Sequence, residues 1–188
     1  MLPRLDDALL DSCRCDVAAP LAGDPARDFG LDKDDCLERF EALKQYLDEQ
    51  QQLLWANRRE AMLLWLQGPD CSGKDGAIRH LFRGLNPQGV DVSNFQLPSA
   101  AERQEHFLAR YQRRLPPLGS IGIFNRSPYE GVVGDRHDGF IGAEQVSPRL
   151  QQIAAFEDQL QGAGILLCKV YLQISAGEQL KRLRKRLL

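Results

Sequence analysis

Eight consecutive residues hold the densest chemistry in the chain: Gly68, Pro69, Asp70, Cys71, Ser72, Gly73, Lys74 and Asp75. Their spacing, G-x-x-x-x-G-K, suits a loop that wraps around phosphate. Gly68 and Gly73 let the backbone curl until successive N–H groups, that of Ser72 among them, face inward. Lys74 adds a mobile full charge, and a helix starting there adds the positive end of its dipole. One position departs from the usual pattern. Asp75 stands where a hydroxyl residue would reach Mg²⁺, and a second carboxylate, Asp70, lies inside the loop. A carboxylate beside phosphate is repulsive unless a cation intervenes, so the pair points to a bridging metal with Asp70 as its ligand.

A second constellation is Asn125, Arg126, Ser127, Pro128, Tyr129 and Glu130, which follows the apolar run Ile121 to Phe124. Beside such a phosphate loop, the neighbouring strand end usually offers an acid to the metal. Asn125 occupies that place here. Its carbonyl can accept from a metal-bound water or ligate weakly, but it brings no charge. Arg126 can clamp a transferring phosphoryl group, and Glu130 can restore the missing carboxylate.

The elements that must carry these groups follow from periodicity. Residues 1–30 are punctuated by Pro and Gly and read as an irregular segment. Apolar residues then recur at threes and fours from Cys36 to Leu54, which predicts a helix from about Asp32 to Arg59. The continuous apolar run 61–67 predicts a buried parallel strand. A helix is expected from Lys74 to about Leu85, a strand over 90–95, and a helix from Ser99 to about Arg114 with a capping-box start. Strands at 121–124 and 165–174, a helix from Glu144 to about Leu160, and a last helix capped by Ser175 complete the order. Helix, then repeated strand–helix, predicts an α/β fold whose parallel sheet is covered on both faces.

Composition narrows the function classes. The chain has 188 residues, a net charge of -2, 43% hydrophobic and 27% charged residues, an ordinary balance for one globular domain. Residues 1–60 are net acidic and 61–188 net basic, so the mildly acidic total does not exclude an anionic substrate. The N-terminus shows no secretory leader, no apolar run reaches the ~20 residues of a membrane span, and the 5 cysteines form no C-x-x-C pair. A reduced, cytoplasmic chain without a membrane partner is expected. The closing run Lys181 to Arg186 reads equally as a solvated amphipathic helix or as a track for an acidic polymer. It offers no aromatic platform for stacking bases, so no specific nucleic-acid partner is expected.

Together the motifs resemble one family, the polyphosphate kinase 2 family. The resemblance is carried by Leu66 to His80, Leu85 to Val90, Pro98 to Arg103, Gly119 to Glu130 and Glu178 to Arg186, in order over about residues 30 to 186. The Asn in F-N-R-S-P-Y-E is similar to the branch that phosphorylates AMP as well as ADP. The resemblance implies a three-layer α/β/α P-loop kinase-like fold over residues 31–188 with an N-terminal helical extension. It also implies Mg²⁺-dependent phosphoryl transfer between inorganic polyphosphate and a nucleoside mono- or diphosphate. By motif position Asp70, Lys74 and Arg126 would be catalytic, with Asp70 and Glu130 on the metal. Gly68, Ser72, Gly73, Asp75, Asn125, Arg103, Arg110, Arg136, Arg182 and Arg186 would bind phosphate or nucleotide.

Three departures from the family pattern set the expectations to test. Pro128 replaces a His or Trp, Gly131 replaces an Asp, and the chain stops at Leu188 after the first arginines of a lid. The lid and C-terminal part are therefore expected to be missing, and the last helix to fray beyond about Leu183. A homo-oligomer is expected. The alternatives are a catalytically weakened nucleotide- or polyphosphate-binding domain, and an ATP-dependent nucleoside or nucleotide kinase.

Overall fold

The structure, a computed structural model, describes residues 7–15, 23–26, 30 and 32–187. Four strands, β1 (Ala61–Gln67), β2 (Val90–Asn94), β3 (Ile121–Asn125) and β4 (Ile165–Tyr171), form one parallel sheet in the order β2-β3-β1-β4. β1 thus lies between β3 and β4, and β3 separates it from β2, its successor in sequence. The C-terminal ends of β1 and β3 lie where the winding changes direction, the place where ligands enter open α/β sheets.

Each sheet face has its own core. Alternation along β1 sends Ala61, Leu63 and Trp65 to one face, where they pack with Ile153, Phe156 and Leu160 of a long helix, α6 (Val146–Gly162). Met62 and Leu64 go to the other face with Ile121 and Ile123, against Leu54, Ile78 and Phe82. Those last three come from α2 (Lys33–Asn57) and α3 (Lys74–Phe82). Fully burying one such Leu, Ile or Phe side chain is worth roughly 1.5–3 kcal/mol. The two-sided burial accounts for the uninterrupted apolar run of β1.

α2 begins where the acidic start predicts. The Asp32 carboxylate accepts from the Asp34 N–H at 2.8 Å. The helix is tied to the sheet layer by Gln51, which is 2% exposed. Gln51 Nε2 donates to the Asn86 carbonyl at 2.8 Å, and its Oε1 accepts from the Asn86 N–H at 2.9 Å. Replacing Gln51 with Leu strands both main-chain groups of Asn86. We expect a loss of about 1–3 kcal/mol, the net worth of two hydrogen bonds, read as a lower midpoint in denaturant melts. An unchanged midpoint would mean that water takes over both bonds.

Several sequence expectations are corrected. A seven-residue helix, α1 (Asp7–Cys13), lies in the segment read as irregular; residues 1–6, 16–22 and 27–29 of that segment lie outside the described residues. α3 ends at Phe82, three residues early, because Arg83 turns extended and Gly84 takes φ 95°. The helix expected from Ser99 to Arg114 is broken in two. Its capping box does form, with Ser99 N–H on Glu102 Oε2 at 2.8 Å and Glu102 N–H on Ser99 Oγ at 3.2 Å. It closes only a 3-10 turn, Glu102–Gln104, after which Glu105 is extended at φ -100°, ψ 169°. That break lets Leu108 and Tyr111 reach the core around a four-residue helix, α4 (Ala109–Gln112). Core burial outweighs local propensity here. A helix absent from the sequence reading, α5 (Glu130–His137), follows β3 despite Gly131 and Gly134. A Cβ on Gly131 would stand 2.5 Å from the Phe107 ring, so that ring occupies the space an Asp side chain would need. The last helix, α7 (Ala176–Leu187), is capped by Ser175, whose Oγ accepts from the Glu178 N–H at 3.2 Å. It continues to Leu187 rather than ending at Leu183.

Candidate active site

The loop between β1 and α3 has the shape its glycines require. Gly68 has φ 153°, and a Cβ there would lie 2.7 Å from the Leu172 carbonyl oxygen. Gly73, the residue before α3, has φ 106°. Between them Cys71 takes φ 65°, a conformation that costs a non-glycine residue about 1–2 kcal/mol. Lys74 folds back over the loop and donates to the carbonyls of Gly68 at 2.7 Å and Pro69 at 3.1 Å. Burial pushes its pKa below the ordinary lysine value, while the nearby carboxylates of Asp70, Glu130 and Asp75 oppose that and Arg126 adds to it. The ammonium is thus held among carbonyls that it can exchange for phosphate oxygens.

The end of β3 meets this loop from the side. Asn125 Nδ2 donates to Asp75 Oδ1 at 2.7 Å. Asn125 Oδ1 is buried and, among the described residues, has no hydrogen-bond partner. Arg126 next to it has φ 73°; its N–H donates to the Leu66 carbonyl at 3.0 Å. Its guanidinium lies 3.6 Å from Asp70 Oδ1. Asp70, Lys74, Asp75, Asn125, Arg126 and Arg186 line one cavity of about 520 Å³.

A second cavity of about 270 Å³ opens on the other side of Arg126 and shares Arg126, Gln96 and Leu97 with the first. Its wall combines aromatic rings with cations. The Arg103 guanidinium sits 5.0 Å from the Phe140 ring centre, Arg110 sits 5.3 Å from Phe95, and Arg149 sits 4.6 Å from Phe107. Arg110 pairs with Glu102 at 3.3 Å and Arg149 with Asp135 at 2.5 Å. Glu130, at the start of α5, lines this cavity rather than the loop cavity.

The structure therefore gathers Ser72, Gly73, Asp70, Lys74, Asp75, Asn125, Arg126 and Arg186 around the loop, and Arg103, Arg110 and Glu130 around the neighbouring space. Two arginines fall elsewhere. Arg136 is exposed in the last turn of α5 and lines neither cavity. Arg182 is spent on the loop itself, donating to the Cys71 and Ser72 carbonyls at 3.1 and 3.2 Å and to Glu178 at 2.8 Å. Sequence reasoning missed Arg149 and Phe140, for which no local pattern exists. It also missed Gln67, whose signal is a polar residue ending an apolar run immediately before Gly68.

The donor set fits a magnesium ion that shares its shell with phosphate. Such an ion takes one or two carboxylates plus substrate phosphates and water rather than a protein-built cage. Asp70, Asp75 and Asn125 line one cavity. Among the described residues no group of three His, Cys, Asp or Glu side chains could enclose a metal alone.

Comparison with known proteins gives a consistent picture. The family model described as polyphosphate kinase 2 (PPK2) matches residues 30–188. The chain is 42% identical over 153 residues to the ADP-polyphosphate phosphotransferase of Rhodopseudomonas palustris, covering 75% of this chain and 53% of that protein. It is 37% identical over 155 residues to the AMP/ADP-polyphosphate phosphotransferase of Meiothermus ruber, covering 82% and 58%. The solved polyphosphate kinase 2 of Arthrobacter aurescens TC1 superposes with a TM-score of 0.89 at 34% identity, over 95% of this chain and 65% of that one. The chain spans about half the length of the curated relatives it matches.

Proposed function

Since the chain belongs to the polyphosphate kinase 2 family, we propose that it takes part in Mg²⁺-dependent phosphoryl transfer between inorganic polyphosphate and AMP or ADP. The observation that carries this reading is the pair of cavities meeting at Arg126. Phosphoryl transfer asks little covalent chemistry of a protein; it asks for two substrates in line and for charge stabilisation where the group moves. In this reading the loop N–H groups, Lys74 and Arg186 hold the last phosphates of the polymer. The second cavity takes the nucleotide, with its rings stacking on the base and Arg103 and Arg110 on its phosphates. Base–aromatic stacking contributes about 1–3 kcal/mol per base. Arg126 stands between the two and stabilises the transferring group.

Asp70 would hold Mg²⁺ on the loop side, with Glu130 as a second carboxylate across Arg126. When bound, the ion would supply positive charge that offsets the phosphates' negative charge. Incubating the chain with polyphosphate, Mg²⁺ and AMP or ADP should yield the next higher phosphate of the nucleotide. No new product would overturn the reading, and ATP serving in place of polyphosphate would point to an ATP-dependent kinase. Asp70→Asn should lower turnover at least about tenfold and raise the Mg²⁺ concentration needed, while metal-free phosphate binding holds or improves, since the change removes a repulsive charge along with a metal ligand. Equal losses with and without metal would make Asp70 a loop-shaping residue.

No described helix is long and apolar enough to cross a membrane. The reading also carries a cytoplasmic location, a homo-oligomer and no specific nucleic-acid partner. Ultracentrifugation tests the oligomer, and titration with unrelated oligonucleotides tests the last point.

A further inference from the structure

Gln67 lines neither cavity, yet it connects the groups that meet between them. As the last residue of β1 it is fixed by its main chain. Its carbonyl accepts from the Leu172 N–H at 2.8 Å, and the preceding carbonyl, of Leu66, accepts from the Arg126 N–H at 3.0 Å. From this rigid base the side-chain amide uses both ends. Nε2 donates to Glu130 Oε1 at 2.6 Å. Oε1 accepts from the Ser127 N–H at 3.1 Å and from Ser127 Oγ at 3.3 Å. Ser127 is 1% exposed and directly follows Arg126, which is held at φ 73°.

We propose that Gln67 is a positioning residue for the transfer: one amide fixes both the left-handed turn that aims Arg126 and the carboxylate of Glu130. The assignment rests on the phosphotransferase reading above. Glutamine suits the task because a single planar group offers an acceptor to a buried N–H and a donor to a carboxylate. Its strand-end backbone lets little of that geometry vary. A bond to an ionised partner is also stronger than a neutral one, which puts weight on the Glu130 end.

Two substitutions separate the two ends. Gln67→Met fills the space and loses both bonds. Gln67→Glu keeps an acceptor for the Ser127 N–H but loses the donor and sets two carboxylates together. In the 188-residue chain, kcat should fall about 10- to 100-fold in either variant, the equivalent of a charged hydrogen bond. Polyphosphate affinity, measured by calorimetry, should change less than about threefold, because the Lys74 loop is untouched. Amide exchange at Ser127 should accelerate in Gln67→Met and stay near the parent rate in Gln67→Glu. Introduced into Glu130→Ala, Gln67→Glu should cost at least about fivefold less than in the parent, since the carboxylate it repels is gone.

A Gln67→Glu chain with parental kcat would overturn the assignment, as would affinity falling in step with kcat or additive losses in the double variant. If the parent itself shows no turnover, the phosphotransferase reading is what fails. The amide then stands or falls as the anchor of the turn and of Glu130 on exchange at Ser127 and on ADP affinity measured across the same variants. Parental values of both in Gln67→Met would end the proposal.

Discussion

Lys74→Ala should abolish phosphoryl transfer and leave the fold standing. The side chain is half-buried and its ammonium makes two bonds, both to carbonyls of its own loop. Gly68 and Pro69 are only partly buried, so water can replace the lost donor. Burial already disfavours the charged amine, as its lowered pKa shows, so its removal relieves a desolvation cost. The catalytic side is different. Once a polyanion occupies the loop, no other lysine among the described residues borders the cavity; Arg126 and Arg186 are the remaining described cations there. Losing a preorganised charge of this kind costs several kcal/mol in the transition state, or about 10²- to 10³-fold in kcat. Turnover within tenfold of the parent, or a large fall in the thermal midpoint, would contradict the assignment.

Arg126→Gly should trade activity for stability. Arg126 and Cys71 are the non-glycine residues of the site with positive φ, at 73° and 65°. Such a conformation costs an L-residue about 1–2 kcal/mol and tends to persist where function requires it. Glycine adopts it freely but adds unfolded-state entropy worth about 0.4–1 kcal/mol. The informative comparison is therefore with Arg126→Ala, which loses the same guanidinium and keeps the strain. Both variants should lose about 10²- to 10³-fold in turnover, the scale of removing one charge-stabilising donor. The glycine variant should melt about 2–4 °C above the alanine variant, the shift expected from about 1 kcal/mol in a chain of this size. Equal midpoints would show that the turn stores no strain. Retained turnover would remove Arg126 from the reaction.

These two residues illustrate what could be read before the fold was known. Lys74 was legible because its chemistry is local: two glycines, a strand before and a helix after fix where its amine can go. The strands were legible for a similar reason. β1 is buried on both faces and must therefore be apolar throughout, so its limits, Ala61–Gln67, match the apolar run. The break at Glu105 and the existence of α5 were hidden, since the capping box at Ser99 and the glycines of α5 argued locally for the opposite.

The alternation of strands and helices and the phosphate loop were readable along the chain, because each rests on periodicity or on residues within one turn of each other; the family was readable through the resemblance of five motifs in order. Tertiary structure alone decided how the charged groups divide between two cavities. It paired Asn125 with Asp75 across 50 positions and Gln67 with Glu130 across 63. It drew Arg149 to the second cavity, left Arg136 in solvent and tied Arg182 to the loop carbonyls. Spacing along a chain carries no information about such meetings. Strand order and burial bring the groups together, and their charge and hydrogen bonds act over a few ångströms of space however far apart they lie in sequence.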